Sequence, residues 1–474
     1  MSLSTTARKA FLHGWLFSQG NVLRLLRELR RWQGLDRSES ESLQQRHLES
    51  LLRHAHDHVP YYRGILRDAD VVSGDGRIHP DRLSRLPLLD KPAIRTHFEK
   101  LKSDDLASRR WYYNISGGST AEPLRFIQDG AFKARGRAGS VFTDLWAGYR
   151  PGDPRVLLWG APRDVQSGTV GIRAKIKNFV RNEIWLNSYW MDEKDMSAYA
   201  ERINFMRPRQ ILAYAESVYD LARFIERTGQ SVFSPTAIVS SSGTLYPGMR
   251  ATVERVFGAP VFNRYGSREI LNIAFECDSH EGMHVITPYH YVEIIRPDGS
   301  PAPPGETGEI VITSLTNYAM PFIRYRIGDL GSWSPRPCSC GRSWPLLAEV
   351  TGRTAEIFVR RDGRHVLSTF FGYVMFFQEW RDWIDRCQFV QEDYDLIRVL
   401  IRALPGKKIN KAALPRIAGQ IKEVMGDDCR VEFEFVAEIP PVASGKIRTA
   451  ISKVSGKKTV AGCNQVVPTP GVDL

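Results

Sequence analysis

No apolar run in this chain of 474 residues approaches the ~18 that a membrane span needs. The N-terminus places Arg8 and Lys9 early, without a long apolar core or a small-residue cleavage site. It is therefore read as lacking a signal peptide, and the protein as cytoplasmic. Cysteine is scarce, and six thiols in a chain of this size make no disulfide scaffold. No signature of an RNA- or DNA-binding module accompanies the basic residues, which puts nucleic acid last among the partners. A Walker loop is also missing, because no lysine stands beside a hydroxyl after the glycine-rich stretch at 116–123.

What is present is ordinary globular composition, 42% hydrophobic and 25% charged, with a formal net charge of +12. At roughly 100–200 residues per domain, the length implies several domains with a large core. The basic residues gather in RELRRWQ (27–33), RAKIKNFVR (173–181) and two stretches near the C-terminus, 407–410 and 455–458. An unspecialised basic surface, anionic substrates and an acidic membrane face all fit such clusters. Residues 20–33 put Val22, Leu25, Leu26 and Leu29 on one helical face, which reads as a helix docked on the body. Helical spacing resumes at SLQQRHLESLL and breaks at Pro60. Strand-like runs follow at 155–162, 236–241, 259–266 and 308–315, with helical stretches at 215–229 and 246–258. That alternation predicts an α/β fold with a substantially parallel sheet. Beyond about residue 350 the chain becomes short-stranded and mixed, and 430–440 alternates like a strand.

Four islands carry candidate chemistry. SGGSTAEP (116–123) offers backbone N–H groups and hydroxyls, suited to a turn or to a phosphate cradle. RYGSREI (264–270) sets Glu269 past a strand, where it could hold magnesium or simply pair with an arginine. FIRYRIGDLG (322–331) puts Asp329 where it could accept two ribose hydroxyls or cap a turn. PPVASGKIRT (440–449) presents Lys446 on a turn bounded by Pro and Gly. A separate set, Cys277 with Cys338 and Cys340 and either His280 or His284, offers the S₃N donors that zinc favours. The C-x-C spacing is tighter than that of common zinc knuckles, so ordinary buried residues remain the alternative.

Taken in order, the islands resemble the adenylate-forming superfamily of acyl-CoA synthetases, luciferase and peptide-synthetase adenylation domains. Within it, the chain is similar to the branch holding phenylacetate–CoA ligase, CapK-like and coenzyme F390 synthetase-like proteins. The resemblance runs from about residue 45 to 450 and includes HAHDHVPYYRGIL. It implies a large N-terminal domain over 1–353, with a leading helical segment 1–60 and mainly parallel sheets flanked by helices. A small mobile α+β domain over 354–474 would follow and carry the late lysine.

The same resemblance implies roles. Ser116, Gly117, Gly118, Ser119 and Thr120 would wrap the ATP phosphates, and Tyr265 and Gly266 would border the adenine and substrate. Glu269 would position magnesium, Asp329 would bind the ribose, Arg353 would reach the nucleotide, and Lys446 would contact carboxylate and α-phosphate. Relatives with a similarly placed set favour a structural zinc on Cys277, His284, Cys338 and Cys340, His284 being preferred because it matches the branch's G-x-H. The implied activity is ATP-dependent activation of a carboxylic acid as acyl-adenylate, then acyl transfer to CoA, or to an amine or hydroxyl in an alternative reading. The partners expected are small molecules, with neither nucleic acid nor membrane. Tyr214, Ser217, Tyr219 and the turn Ser240 to Leu245 are candidates for the acyl pocket. Departures are Ala121 in place of a usual glycine, no lysine after the loop, and Ala355 beside Glu356 in the hinge. Together with the basic N-terminal helix they motivate a rival reading, a non-catalytic nucleotide-binding or membrane-associated scaffold. Glu269, Asp329 and Lys446 standing together argue against it.

Overall fold

The structure, a computed structural model, describes residues 21–116, 124–159, 169–188, 191–353, 358–362, 364–366, 371, 383–439 and 448–454. Helix starts follow local chemistry. Helix α1 (Val22–Gln33) buries Val22, Leu25, Leu29 and Trp32 and turns Arg24, Arg27, Arg30 and Arg31 outward, so its amphipathic face is docked as expected. α2 (Arg37–His58) opens with a reciprocal capping box between Asp36 and Glu39. Its end and the start of α3 (Pro60–Asp68) are both set by Pro60, which has no N–H to continue one helix but suits the first turn of the next. α4 (Lys91–Thr96) is capped by Asp90.

An antiparallel hairpin, β1 (Trp111–Ile115) and β2 (Arg125–Asp129), then leads into α5 (Gly130–Trp146), whose Phe132 N–H is capped by Asp129 at 2.7 Å. The parallel strands are β3 (Arg155–Trp159), β4 (Glu183–Asn187), β5 (Gln210–Tyr214), β6 (Ala237–Ser241) and the start of β7 (Val261–Ser267). They are linked by α6 (Ile172–Arg181), α7 (Glu193–Met206), α8 (Ala215–Thr228) and α9 (Pro247–Phe257). These strands are apolar on both faces because both are covered. Ile211, Ala213, Ile238 and Val261 pack on one side with Val218, Leu221 and Val253 of α8 and α9. Leu157, Leu212, Val239 and Phe262 pack on the other.

Beyond β7 the sheet turns antiparallel through β8 (Leu271–Glu276), β9 (Met283–Val285), β10 (His290–Ile295), β11 (Gly308–Ser314), β12 (Tyr325–Trp333) and β13 (Leu346–Arg353). The resulting sheet has 11 strands in the order β10-β11-β12-β13-β9-β8-β7-β6-β5-β3-β4. Its latest strand, β13, therefore lies between β12 and the earlier β9.

A small hairpin, β14 (Phe358–Val359) with β15 (His365–Val366), precedes a 4-stranded sheet. That sheet, β18-β17-β16-β19, comprises β16 (Ile384–Asp393), β17 (Leu396–Ala403), β18 (Arg430–Phe435) and β19 (Ala450–Ser452). With α10 (Leu414–Met425) it encloses its own core, including Phe358, Phe389, Ile397, Val399 and Ile421. It touches the large domain on α8, where Arg223 donates to the carbonyls of Asp385 at 2.8 Å and Ile384 at 3.1 Å. An ion pair between Arg386 and Asp220 lies beside these bonds. Among the described residues, no helix is long and apolar enough to cross a membrane.

Candidate nucleotide site and thiol–imidazole cluster

The β1/β2 hairpin fixes both ends of the glycine-hydroxyl stretch. The Ser116 N–H donates to the Leu124 carbonyl at 2.9 Å, and the Leu124 N–H returns a bond to Ser116 Oγ at 2.8 Å. Ser116 is thus the closing pair of the hairpin, and its hydroxyl proton is left to donate elsewhere. Gly117, Gly118, Ser119 and Thr120, with Ala121, lie outside the described residues, as do Lys446, Ala355 and Glu356.

Gln128 joins this hairpin to the second island. It is fully buried, and its Oε1 accepts from Tyr112 Oη at 3.0 Å and Asn114 Nδ2 at 2.9 Å. Its Nε2 donates to the carbonyls of Arg268 at 2.8 Å and Glu269 at 3.3 Å. One amide therefore locks the arms of the 117–123 segment to the turn that carries Glu269. Residue-by-residue motif reading misses Gln128. The available signal is a polar amide directly after the apolar pair Phe126 and Ile127 in the strand RFIQD.

The Glu269 carboxylate is buried, with Tyr325 Oη at 3.5 Å from Oε1. Tyr325 opens β12, the strand that also carries Asp329. Tyr265 Oη donates to Asp329 Oδ2 at 2.8 Å, and Asp329 stands opposite Arg353 in the β12/β13 pairing. Tyr265, Glu269, Asp329 and the backbone of Arg353 are thereby drawn together across β7, β12 and β13. Between Tyr265 and Gly266 the β7/β8 register shifts. A Cβ on Gly266 would strike the Leu271 carbonyl oxygen, so glycine is what permits this bulge.

The acyl-pocket candidates divide. Tyr214 ends β5 with its ring 4.6 Å from Trp159 between centroids. Tyr219 instead packs in the core with Ala213 and Ile238. Ser217 is buried in the first turn of α8.

The second cluster is compact. The ligand atoms of Cys277, His284, Cys338 and Cys340 all lie within 4.8 Å of one another. Cys277 and Cys338 sulfurs are 3.5 Å apart, and Cys340 Sγ is 3.3 Å from His284 Nε2. The other imidazole nitrogen, Nδ1, lies 3.0 Å from the Trp344 carbonyl, which directs Nε2 at the thiols. His280 points elsewhere, with Nδ1 3.2 Å from Glu276. Burial pushes the Cys338 thiol up to about 12. Burial also raises Cys340, but the Arg342 N–H and side chain and the neighbouring thiols outweigh it, and its net shift is downward. The cluster ties the end of β8 and the strand β9 to the 338–342 turn between β12 and β13.

A tyrosine bonded to an aspartate on a distant strand, a buried glutamate beside them and a hairpin keyed to the same turn thus lie together on this mixed sheet, which a small α+β domain follows. Residues 358–453 match the CapK C-terminal domain family. Protein CapK of Staphylococcus aureus is 25% identical over 426 residues, 87% of this chain and 89% of that protein. The phenylacetate-coenzyme A ligase of Thermus thermophilus is 25% identical over 345 residues, 69% of this chain and 73% of that protein. The same fold appears in 2-hydroxyisobutyryl-CoA ligase in its postadenylation state, with a TM-score of 0.70 at 18% identity, covering 90% of this chain and 92% of that one. In sequence the chain is similar to CapK and to phenylacetate–CoA ligases, and in fold to adenylate-forming ligases.

Proposed function

We propose that the protein activates a carboxylic acid with ATP and transfers the acyl group to a second nucleophile, the thiol of CoA in the first instance. The observation that carries this reading is the Tyr265–Asp329 bond of 2.8 Å, with Glu269 and the ends of the 117–123 segment held to the same region by Gln128. In the first step a carboxylate oxygen attacks the α-phosphorus, the bond to the bridging oxygen of pyrophosphate breaks, and acyl-adenylate remains. In the second, a thiolate adds to the acyl carbonyl and AMP leaves.

Bringing two anions together makes the first barrier largely electrostatic, so fixed donors and cations are where rate is gained. The reading assigns the phosphates to residues 116–120, the ribose hydroxyls to Asp329, and the carboxylate and α-phosphate to Lys446, with Arg353 on the nucleotide. Tyr265 orients Asp329 and borders the adenine, while Glu269 would hold the magnesium that accompanies ATP and offsets its charge. A lysine on a separate domain can arrive for adenylation and withdraw for transfer, which supports a junction near 353–354.

The thiol cluster would hold a structural zinc. Zn–S bonds of about 2.3 Å place tetrahedral sulfurs roughly 3.8 Å apart, and three thiolates with one oriented imidazole supply a complete set. The five described cysteines are free, which supports a reducing, cytoplasmic setting.

ATP–pyrophosphate exchange over a panel of acids tests the first step. Exchange that depends on an acid and falls at least about 100-fold in Lys446→Ala is the expected result. No exchange with any acid, or full exchange in that variant, overturns the reading. A screen of acceptors read by mass spectrometry then separates thioester from amide or ester products.

A further inference from the structure

At the carboxyl edge of the parallel strands, hydrogen-bonded register lines up side chains that share one face. Tyr214 stands opposite Ser241, and Ser241 opposite Arg264. Trp159 continues the row, its ring against that of Tyr214. Two residues back along each strand the same face is apolar, with Leu212, Val239 and Phe262 in one cluster. The row therefore has a hydrocarbon floor, an aromatic side and a single guanidinium.

That guanidinium has polar company but no counter-ion. Arg264 Nε and Nη2 lie 3.4 and 3.3 Å from Ser241 Oγ, and among the described residues it makes no ion pair. The carboxylate that acts on it, Asp144, is held by Arg155 at 3.2 and 3.3 Å. Burial lowers the pKa of Arg264 to about 10, so it stays charged at neutral pH. A half-buried cation that lacks a counter-ion is costly to keep and fits a ligand anion. It is not aimed at the nucleotide. Tyr265, the next residue, points to Asp329, and successive residues of a strand face opposite sides.

We propose that the acid activated by this protein carries a second anionic group, which Arg264 recognises. The substrate class is then a dicarboxylic acid with an apolar or aromatic body: one carboxylate is adenylated and the other meets Arg264 over the floor of Leu212, Val239 and Phe262. This rests on the adenylation reading and narrows it.

The test is ATP–pyrophosphate exchange by the full chain with matched pairs: hexanoate with adipate, benzoate with terephthalate, phenylacetate with 4-carboxyphenylacetate. For at least one pair, kcat/KM is expected to favour the dicarboxylate by 10-fold or more, since a charge-assisted bond lost leaves a partner unpaired. In Arg264→Met that ratio is expected to fall by about 10- to 100-fold, and in Arg264→Lys by less. Equal use of both members of every pair, a preference for the monocarboxylates, or a ratio unchanged in Arg264→Met overturns the proposal while the adenylation reading stands. No exchange with any acid overturns both. If Arg264→Met does not fold, the wild-type ratio alone decides.

Discussion

The phenol of Tyr265 and the carboxylate of Asp329 are 64 positions apart, yet 2.8 Å separates their oxygens. A hydrogen bond to a charged acceptor contributes about 1.5–3 kcal/mol, so Tyr265→Phe is expected to lower kcat/KM for ATP by about 10- to 100-fold, measured by pyrophosphate exchange. An unchanged value would remove this pair from the nucleotide site. A different residue sets a pH response. His290 is buried, its Nε2 lies 2.7 Å from the Asn272 carbonyl, and its Nδ1 finds no partner among the described residues. Burial lowers its pKa to about 4. Because the folded value lies below the unfolded 6.5, the unfolded chain binds the extra proton in between. Stability from this group is present above about pH 6.5 and lost as pH falls toward 4, by about 3 kcal/mol at most. Denaturation midpoints followed from pH 7 to 4 should show a decline that becomes shallower in His290→Gln.

Among the elements, the thiol–imidazole cluster makes the sharpest forecast. Purified protein should hold about one zinc per chain by elemental mass spectrometry, and His284→Ala or Cys338→Ser should lose it while His280→Ala keeps it. Stripping the metal should lower Tm by roughly 5–10 °C, because the 338–342 turn would no longer be tied to β8 and β9. Which elements the sequence disclosed follows from where their signals lie. The strands β3, β6, β7 and β11 announce themselves because each contains a short apolar run flanked by polar or turn residues. Pro60 marks a boundary by its own chemistry. By contrast, the long antiparallel half of the sheet depends on pairings between separated segments. Gln128 is invisible in advance for the same reason: its partners are carbonyls 140 and 141 residues further on. Arg264 sits in plain view beside Tyr265 but gains meaning only from the row of residues that neighbouring strands bring to it.

As a whole, the molecule has two bodies with separate cores, joined through residues beyond Arg353 and touching at α8. Arg386 and Asp220 form an ion pair there, next to the two bonds from Arg223 to backbone carbonyls. Arg386→Ala is expected to weaken that contact without disturbing either core. Small-angle scattering should then report a larger radius of gyration, and calorimetry a wider separation between the unfolding of the two bodies. An unchanged scattering profile would mean that this ion pair does not hold them together.

The insertion of β13 between β12 and β9 also bears on how the protein comes into being. A ribosome must release some 350 residues before the strand ending at Arg353 can complete the large sheet. Until then β9 exposes a bare edge, open to pairing with another nascent chain. Gene fragments cut upstream of that point inherit the same unfilled slot, so split or shortened versions should aggregate unless the missing strand is supplied.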